Sequence, residues 1–374
     1  MRKLLSILSL TFFISPALRA DSIPIGYIGG LTADGISSEA EQSLRAIQLA
    51  VKQQNLKGGL LGRPIQLEIF DTKGDPTLAQ ELIKNVQKKN IEAVVGFHSS
   101  NDALAIVPAL DRLKIPVVVA SATSPKILDN KKYVVQTCLN DESMAKSLAE
   151  KLYSIGKRRA IIATDVTETF TVGLSAYFQK YFENLGGLVA LTEDIDIDNI
   201  SFQSLAKRIK NYSEKADVLF ISARALESVY LWLALQDVHF KLDVVGSDGF
   251  QSQNMDILIN RFKTRFNLDL FPSHWDPFST RSKSVHFFKY FKKEFPLYPL
   301  SDHEIDPFLS YDSAIILFQA IQKTHSLDPD LLIKNLKATT ATGVSGAIGF
   351  DQNGSSSKKP FFLKFEKGAL KRAE

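Results

Sequence analysis

Residues 92–120, EAVVGFHSSNDALAIVPALDRLKIPVVVA, decide the fold. Two short apolar runs, 92–95 and 116–120, flank a stretch with helical spacing at 103–113. A strand, a helix and a second strand in this order form a right-handed crossover between two parallel strands. The segment therefore predicts a parallel sheet with helices packed against it.

The same alternation continues on both sides of this segment. Further strands are predicted at 23–28, 65–70, 159–163, 218–221 and 243–245, and further helices at 38–54, 78–88, 142–155 and 204–212. In the first of these helices, Leu44, Ile47 and Val51 lie three and four residues apart and share one face. The pattern occurs twice, at 23–136 and 159–250, and predicts an α/β fold of two doubly wound parallel-sheet lobes. Such sheets bind ligands beyond the carboxyl ends of their strands, so we expect a ligand cleft between the lobes.

The last third of the chain is less regular. Helices are predicted at 280–294, 308–323 and 330–338, and a final strand at 361–365. Asp351, Asn353 and Gly354 predict a tight turn that joins two strands, with a positive φ angle at Gly354. No Pro- or Ser-rich linker divides the lobes, so we expect short hinge strands between them.

The first 20 residues have the pattern of a cleavable secretory signal peptide. Basic Arg2 and Lys3 precede an apolar run at 4–14, and Ala20 provides a small residue at the cleavage site. A retained membrane anchor is the alternative, but the run is shorter than the ~20 residues that span a bilayer. We therefore expect a soluble, exported protein of the periplasm.

Composition and charge exclude several classes of protein. The chain has 374 residues, of which 45% are hydrophobic and 23% charged, as in a globular protein with a sizeable core. Without the predicted signal peptide, which has three basic and no acidic residues, 42 Lys and Arg remain against 41 Asp and Glu. This near-neutral balance removes the electrostatic case for a nucleic acid partner. The only cysteine, Cys138, leaves no intramolecular disulfide and no multi-thiolate metal site.

Motifs for cofactors and catalysis are missing from the sequence. It has no phosphate-binding loop, dinucleotide fingerprint, zinc-protease motif or nucleophile elbow. The six histidines have no metal-ligand spacing, and His98, the one near the proposed cleft, is expected to form part of its wall. We therefore predict no cofactor, no metal and no catalytic residues.

Seven short segments occur in an order that carries a resemblance to a known family. They are 25–31, 57–64 (KGGLLGRP), 95–100 (VGFHSS), 119–125 (VASATSP), 246–249 (GSDG), 311–314 (YDSA) and 346–354. With them the chain resembles the periplasmic solute-binding proteins of branched-chain amino acid (Leu/Ile/Val-type) ABC transporters, which have the type I periplasmic-binding fold. The resemblance covers nearly the whole mature chain.

The resemblance implies two lobes joined by a three-crossover hinge. The crossovers are expected near 136–140, 266–271 and 341–345, lobe 1 at 21–138 and 271–343, and lobe 2 at 139–270 and 344–374. It also implies a monomeric receptor that captures an amino acid or a related small polar solute and delivers it to the permease subunits of an ABC transporter. A periplasmic sensor of the same fold, signalling to a regulator or kinase, is the alternative, and a hydrolase is a weaker third reading.

Five candidate ligand-binding residues follow two neighbouring predicted strands of lobe 1. Ser99 and Ser100 precede a helix, whose start stabilises a carboxylate. The alternative is that Ser100, Asn101 or Asp102 simply caps this helix. Ser121, Ala122 and Thr123 follow the next strand and would equally fit an ordinary turn. The resemblance implies ligand contacts by the side chains of Ser100 and Thr123 and by the backbone of Ser121.

Three further candidates belong to lobe 2. Asp248 follows a predicted strand, and the turn in which it lies would itself explain a carboxylate there. The resemblance implies that Asp248 pairs with the ligand ammonium. Phe170 stands where the family commonly has tyrosine and would line the pocket without a hydroxyl. Arg224, if it faces the cleft, would favour a second negative charge on the ligand, and solvent exposure is the alternative.

Overall fold

The computed structural model describes residues 22–32, 37–197, 199–262, 266–279, 281–298, 300 and 304–373. The predicted signal peptide at 1–20 lies outside these residues. The strands are β1 (Ile23–Gly29), β2 (Ile65–Asp71), β3 (Ala93–Gly96), β4 (Val117–Val119), β5 (Val134–Gln136), β6 (Arg159–Asp165), β7 (Leu188–Ile195), β8 (Val218–Ser222), β9 (Asp243–Gly246), β10 (Leu268–Ser273), β11 (Thr340–Thr342), β12 (Ala347–Gly349), β13 (Phe361–Glu366) and β14 (Ala369–Arg372). The α-helices are α1 (Ser37–Leu56), α2 (Ala79–Lys88), α3 (Ser100–Arg112), α4 (Asp141–Ser154), α5 (Thr169–Asn184), α6 (Phe202–Tyr212), α7 (Ala225–Asp237), α8 (Gln253–Phe262), α9 (Ser282–Glu294), α10 (Asp306–Thr324) and α11 (Pro329–Lys337).

Two separate sheets form the centres of two lobes. The first has five parallel strands in the order β2-β1-β3-β4-β5. The second has seven strands in the order β14-β13-β10-β9-β8-β6-β7, and its strands are parallel except for the antiparallel pairs that β13 makes with β10 and β14. The predicted fold of two doubly wound α/β lobes is confirmed. The antiparallel edge of the second sheet was not predicted.

Helices cover both faces of each sheet, and apolar side chains between the layers form the cores. Ile47 of α1 is buried, as its spacing predicts, in one cluster with Leu317 of α10. On the other face of the same sheet, Val107 of α3 packs in a separate buried cluster. In the second lobe, the rings of Phe178 of α5 and Phe220 of β8 pack in a tilted arrangement with centroids 4.7 Å apart. Burial of this apolar area is the main stabilising term in each lobe.

Several elements escaped prediction for local reasons. The prediction omitted β5, β7, β10, β11, β12 and β14 and the helices α5, α7 and α8. The strand β7 lies at the edge of its sheet and has mostly half-exposed or exposed residues, and its apolar run, 188–191, is short and gives way to mainly polar residues. The helix α7 buries residues on most of its faces, and therefore lacks the polar face that makes a helical period visible.

The chain passes between the two sheets three times. It leaves the first sheet after β5, returns after β10 to form α10 against the first sheet, and crosses again between β12 and β13. The strand β10 stays in the second sheet up to Ser273, and Ile348 of β12 packs in the core of the first lobe. The lobe boundaries at 138, 270 and 343 stay predictions.

The turn at 351–354 differs in part from the prediction. Gly354 has a φ angle of +92°, as predicted. Oδ1 of Asp351 accepts hydrogen bonds from the backbone N–H groups of Asn353 and Ser355, both at 2.9 Å. The turn closes a single bridge between Phe350 and Ser356 and does not join two strands, because β12 already ends at Gly349 and β13 begins at Phe361. The prediction of two joined strands was therefore wrong.

In the glycine-rich turn before β2, one glycine occupies a position that has no room for a side chain. Leu60 and Arg63 exchange backbone hydrogen bonds of 2.8 and 2.9 Å across this turn. Gly59 has a φ angle of +75°, and a Cβ atom there would lie 1.9 Å from the carbonyl oxygen of Arg63. Gly62 has nearly the same φ angle, +74°, but a Cβ atom there would meet nothing within 4 Å.

These two glycines form a matched test of steric crowding. We expect Gly59→Ala to lower the free energy of unfolding by about 3 kcal/mol, because backbone strain adds to a clash with the Arg63 carbonyl. Gly62→Ala should cost about 1 kcal/mol, since it adds strain alone. Urea unfolding of the two variants measures both values. Equal losses would contradict this account of the turn.

Candidate ligand-binding site

A cavity of about 460 Å³ lies between the two lobes. From the first lobe it is lined by the first turn of α1, by the residues that follow β3 and β4, and by the first turns of α10. From the second lobe it is lined by the residues that follow β6, β8 and β9 and by α8, and His274 follows β10. The strands thus end at the cavity, where ligands of doubly wound sheets bind.

Six of the eight predicted site residues line this cavity. They are Ser100, Ser121, Thr123, Phe170, Arg224 and Asp248. Ser99 is instead the N-cap of α3, where its Oγ atom accepts a hydrogen bond of 3.4 Å from the backbone N–H of Asp102. Ala122 is buried in an apolar cluster of the first lobe. The helix is thus capped by Ser99 and not by Ser100, Asn101 or Asp102, which the capping alternative named, and Ala122 contributes its side chain to the core.

The wall at the start of α3 offers hydrogen-bond donors. Ser100 is the first residue of the helix, and its Oγ atom accepts a hydrogen bond of 3.1 Å from the backbone N–H of Ser124. This bond occupies an acceptor position of the hydroxyl and leaves its proton available for donation. The hydroxyl of Thr123 borders the same space, and the N-terminus of α3 adds the positive end of a helix dipole. This wall suits a carboxylate.

A histidine and an aspartate that face each other form another part of the wall. Nδ1 of His98, which follows β3, lies 3.1 Å from Oδ1 of Asp306, the first residue of α10. Burial, the largest single effect, lowers the pKa of His98, but the charge and the hydrogen bond of Asp306, together with the charge of Glu39, raise it more, so the pKa lies above its ordinary value. Burial likewise raises the pKa of Asp306, but His98 outweighs it, and that pKa is lowered. His98 was expected in the wall; Asp306 was not predicted.

Asp248 is held by a second histidine. Nε2 of His274 lies 2.9 Å from Oδ2 of Asp248, and Nδ1 of His274 accepts a hydrogen bond of 2.9 Å from the backbone N–H of Leu139. Because Nδ1 is an acceptor, His274 is the neutral tautomer that donates from Nε2 to the carboxylate. Oδ1 of Asp248 is buried and has no hydrogen-bond partner among the described residues. One carboxylate oxygen is thus available to a ligand.

Arg224 faces the cavity but is already paired. Its Nε atom donates a hydrogen bond of 3.0 Å to Oε1 of Glu168, and its guanidinium carbon lies 5.1 Å from the ring centroid of Phe170. Burial lowers the pKa of the guanidinium, but the charges of Glu168, Glu39 and Glu227 and the hydrogen bond to Glu168 raise it more. The pKa of Arg224 is therefore raised. The side chain is thus enclosed by carboxylates.

Carboxylates outnumber cations in this half of the cavity. Asp165 accepts bonds from the backbone and hydroxyl of Thr167, and Glu39 accepts a bond of 2.6 Å from Nδ2 of Asn254. Oε2 of Glu227 is buried without a hydrogen-bond partner among the described residues. Burial raises the pKa of Glu227, and the neighbouring carboxylates raise it further.

Side chains of the two lobes meet across the mouth of the cavity. Asn101 of α3 donates a hydrogen bond of 3.4 Å from Nδ2 to Oε2 of Glu168, and its Oδ1 accepts hydrogen bonds from the backbone and the hydroxyl of Thr169. The bond between Asn254 and Glu39 joins α8 to α1. We call these contacts the interlobe latch. They hold the lobes in a closed arrangement.

Several lining residues were not among the predicted ones. They are Glu39, Asp165, Glu168, Glu227, His274 and Asp306. Most of them stand at the first turn or cap of a helix, where acidic residues are common for local reasons. Asp165, Glu168 and Glu227 stand at or after the carboxyl ends of β6 and β8, which were predicted, and this position is the signal that could have found them. His274 follows β10, which was not predicted, and Glu39 and Asp306 lie at the starts of α1 and α10 and do not directly follow a strand.

In the part of the chain that the structure describes, no group of three or more His, Cys, Asp or Glu side chains could hold a metal ion. Among the described helices, none is both long and apolar enough to span a bilayer.

Solved structures share this fold. The leucine binding protein LivK from Thermotoga maritima superposes with a TM-score of 0.82 over 94% of this chain and 97% of that chain, at 24% sequence identity. A solute binding protein from R. palustris in complex with 4-hydroxybenzoate gives a TM-score of 0.82 over 95% and 96% of the two chains, at 19% identity. At these identities the likeness concerns the fold.

Sequence relatives agree with the structural ones. The Leu/Ile/Val-binding protein BraC3 of Rhizobium johnstonii is 29% identical over 243 residues. The match spans 64% of this chain and 64% of that protein, which is slightly less than two thirds of each. The leucine-, isoleucine-, valine-, threonine-, and alanine-binding protein of Pseudomonas aeruginosa is 21% identical over 94% of this chain and 92% of its own length. Residues 22–366 match the family model described as periplasmic binding protein. The resemblance inferred from the sequence is thus confirmed, and the chain belongs to the periplasmic binding protein family.

Proposed function

We propose that this protein is a receptor that captures an amino acid, or a related small zwitterion, and delivers it to an ABC transporter. The observation that carries the proposal is the free oxygen of Asp248. Oδ1 of this carboxylate is buried without a partner among the described residues and borders a cavity that Ser100 and Thr123 also line. A charged group buried in this way is stabilised by an opposite charge, which a ligand ammonium provides.

The comparisons support a binding role and leave the ligand open. Relatives are named as binding proteins for leucine, isoleucine and valine, and fold neighbours hold isoleucine or benzoate-type acids. All of these solutes have a carboxylate, which fits the donors at the start of α3. The family is one of binding proteins and not of enzymes.

We also propose how the receptor works in its compartment. The predicted signal peptide directs export to the periplasm, where the protein acts as a monomer and meets the permease subunits of the transporter. The three crossovers form a hinge, and ligand contacts from both lobes favour the closed arrangement. Because binding contacts come from both sides of the cleft, ligand and closure stabilise each other.

The charges around Arg224 restrict the remainder of the ligand. Glu168 already occupies Nε of this guanidinium, and Glu39, Asp165 and Glu227 add negative charge to the same half of the cavity. A second carboxylate on the ligand would be repelled there. We therefore propose a polar neutral or basic side chain, contrary to the expectation that Arg224 alone would favour an acidic ligand.

A panel measured by thermal unfolding tests the function. The mature protein, stripped of carried-over ligand by unfolding and refolding, is heated with single L-amino acids, dicarboxylates, amides and ureas. A bound solute at 100 times its Kd stabilises the fold by about 2.7 kcal/mol, which is a clear shift in Tm. We expect shifts with polar or basic amino acids, and smaller ones with aspartate and glutamate.

The outcomes separate the alternatives. Shifts in Tm with amides or ureas alone would contradict a zwitterionic ligand and would favour the alternative function, a periplasmic sensor. Shifts with dicarboxylates above all others would contradict the account of Arg224. No shift with any member would overturn the proposed ligand class.

The role of Asp248 is tested by an isosteric change. Asp248→Asn keeps the shape and an acceptor for His274, but removes the negative charge. We expect the Kd of the best amino acid from the panel to rise by a factor of about 100, equivalent to about 3 kcal/mol, because the ligand ammonium loses its buried partner. Isothermal titration calorimetry measures this change.

Asp237→Asn is the matched control. Asp237 is exposed at the end of α7 and does not line the cavity, so its loss removes the same charge from the chain without touching the site. Its Kd should equal that of the unchanged protein. If the Asp248→Asn variant binds as tightly as this control, Asp248 only stabilises the turn in which it lies and does not bind the ligand.

A further inference from the structure

His98 and Asp306 form a pair in the wall of the cavity, and one ring nitrogen of the pair has no partner among the described residues. Nδ1 of His98 is bonded to the carboxylate of Asp306, which can only accept a hydrogen bond when ionised, so Nδ1 carries a proton. Nε2, at the other side of the ring, is buried without a hydrogen-bond partner among the described residues. The His98 side chain is 11% exposed and lines the cavity. A buried polar atom without a partner in the wall of a ligand cavity indicates a ligand atom.

The protonation state decides what Nε2 offers. A neutral His98 with a proton on Nδ1 has a lone pair on Nε2 and can only accept there, whereas the imidazolium donates from Nε2. Asp306 stabilises the imidazolium, because a buried carboxylate next to a protonated ring forms an ion pair. The pKa of His98 is raised accordingly, although burial lowers it. The pair therefore presents a positively charged N–H to the cavity.

The pair of His274 and Asp248 has the opposite polarity. There the imidazole is neutral, because Nδ1 accepts the N–H of Leu139, and the carboxylate has the free atom, Oδ1. One cavity thus contains two His–Asp pairs, one that offers a cationic donor and one that offers an anionic acceptor. A zwitterion has the complementary arrangement of charges.

We propose that His98 is a specificity-determining residue that binds the carboxylate of the ligand through Nε2–H, and that Asp306 is the positioning residue that keeps His98 protonated. This inference rests on the proposed function and names a contact for its anionic end. His98 precedes Ser99 and Ser100 at the start of α3, so its donor joins the hydroxyl and the helix terminus that already favour an anion.

The charges that face His98 come from four helices. Asp306 of α10 and Glu39 of α1 favour the protonated ring, and Arg224 of α7 opposes it. Asp102 of α3 also lies within electrostatic reach of His98. Acidic neighbours outnumber the single guanidinium, so together these charges favour the protonated ring. As the pH rises through the pKa of His98, the donor and its charge are lost, and carboxylate binding weakens.

The test measures affinity against pH. Calorimetry determines the Kd of the L-amino acid with the largest thermal shift in the panel, from about pH 5.5 to about pH 8.5, for the unchanged protein, His98→Gln and Asp306→Asn. In the unchanged protein the Kd should rise, approaching tenfold per pH unit above the pKa of His98. His98→Gln should bind roughly 10- to 100-fold more weakly at low pH, with a flat profile. Asp306→Asn should move the profile to lower pH.

Two controls separate this result from a structural role and from failure of the proposed function. His286→Gln, at an exposed histidine of α9 outside this cavity, should leave the profile unchanged. Asp248→Asn should raise the Kd at every pH without altering its pH dependence. A purely structural pair would lower Tm in His98→Gln while the pH dependence of binding stays as in the unchanged protein, and this outcome would overturn the inference.

A measurement on the ligand-free protein tests the inference even if no solute in the panel binds. The imidazole signals of the protein labelled with nitrogen-15 in histidine are titrated by NMR, and the signal absent from His98→Gln belongs to His98. Its pKa should be above the usual histidine range and should fall in Asp306→Asn. A His98 that titrates normally, or that does not respond to Asp306→Asn, would overturn the inference even if amino acids bind.

Discussion

The hydrogen bond from the backbone N–H of Leu139 to Nδ1 of His274 organises the centre of the molecule. Leu139 lies in the first crossover and His274 follows β10, so the bond joins two of the three connections between the lobes. It also fixes the tautomer of His274, which then donates to Asp248 and leaves one carboxylate oxygen free. Hinge geometry and the charge pattern of the cleft therefore depend on the same ring.

Most of the fold could be read from hydrophobic periodicity. The segment 92–120 alone predicted β3, α3 and β4, because buried parallel strands are short apolar runs and their crossover helices repeat every three to four residues. What escaped had a weaker local signal. The edge strand β7 is largely exposed, and the antiparallel addition of β13 and β14 depends on the long return of the chain from the first lobe.

The sequence predicted a site residue only where a polar side chain directly follows a strand that could be recognised. Ser100, Thr123 and Asp248 directly follow strands that were recognised, and all three line the cavity. Asp306 and Glu168 come from segments far away in sequence, and their importance arises from the partners that folding brings to them. Sequence also could not show that Arg224 faces the cavity while already paired, because both facts depend on how helices of the second lobe pack.

The interlobe latch has a consequence for the resting population of the receptor. The bonds of Asn101 to Glu168 and Thr169, and of Asn254 to Glu39, are made by the protein itself and add to the closed arrangement whether or not solute is bound. Such bonds raise the apparent affinity by enlarging the fraction of molecules that are binding-competent. In the proposed receptor they would also slow solute release and allow closed, empty molecules to compete for the transporter. The strength of the latch would then be a compromise between scavenging at low solute concentration and rapid turnover at the membrane.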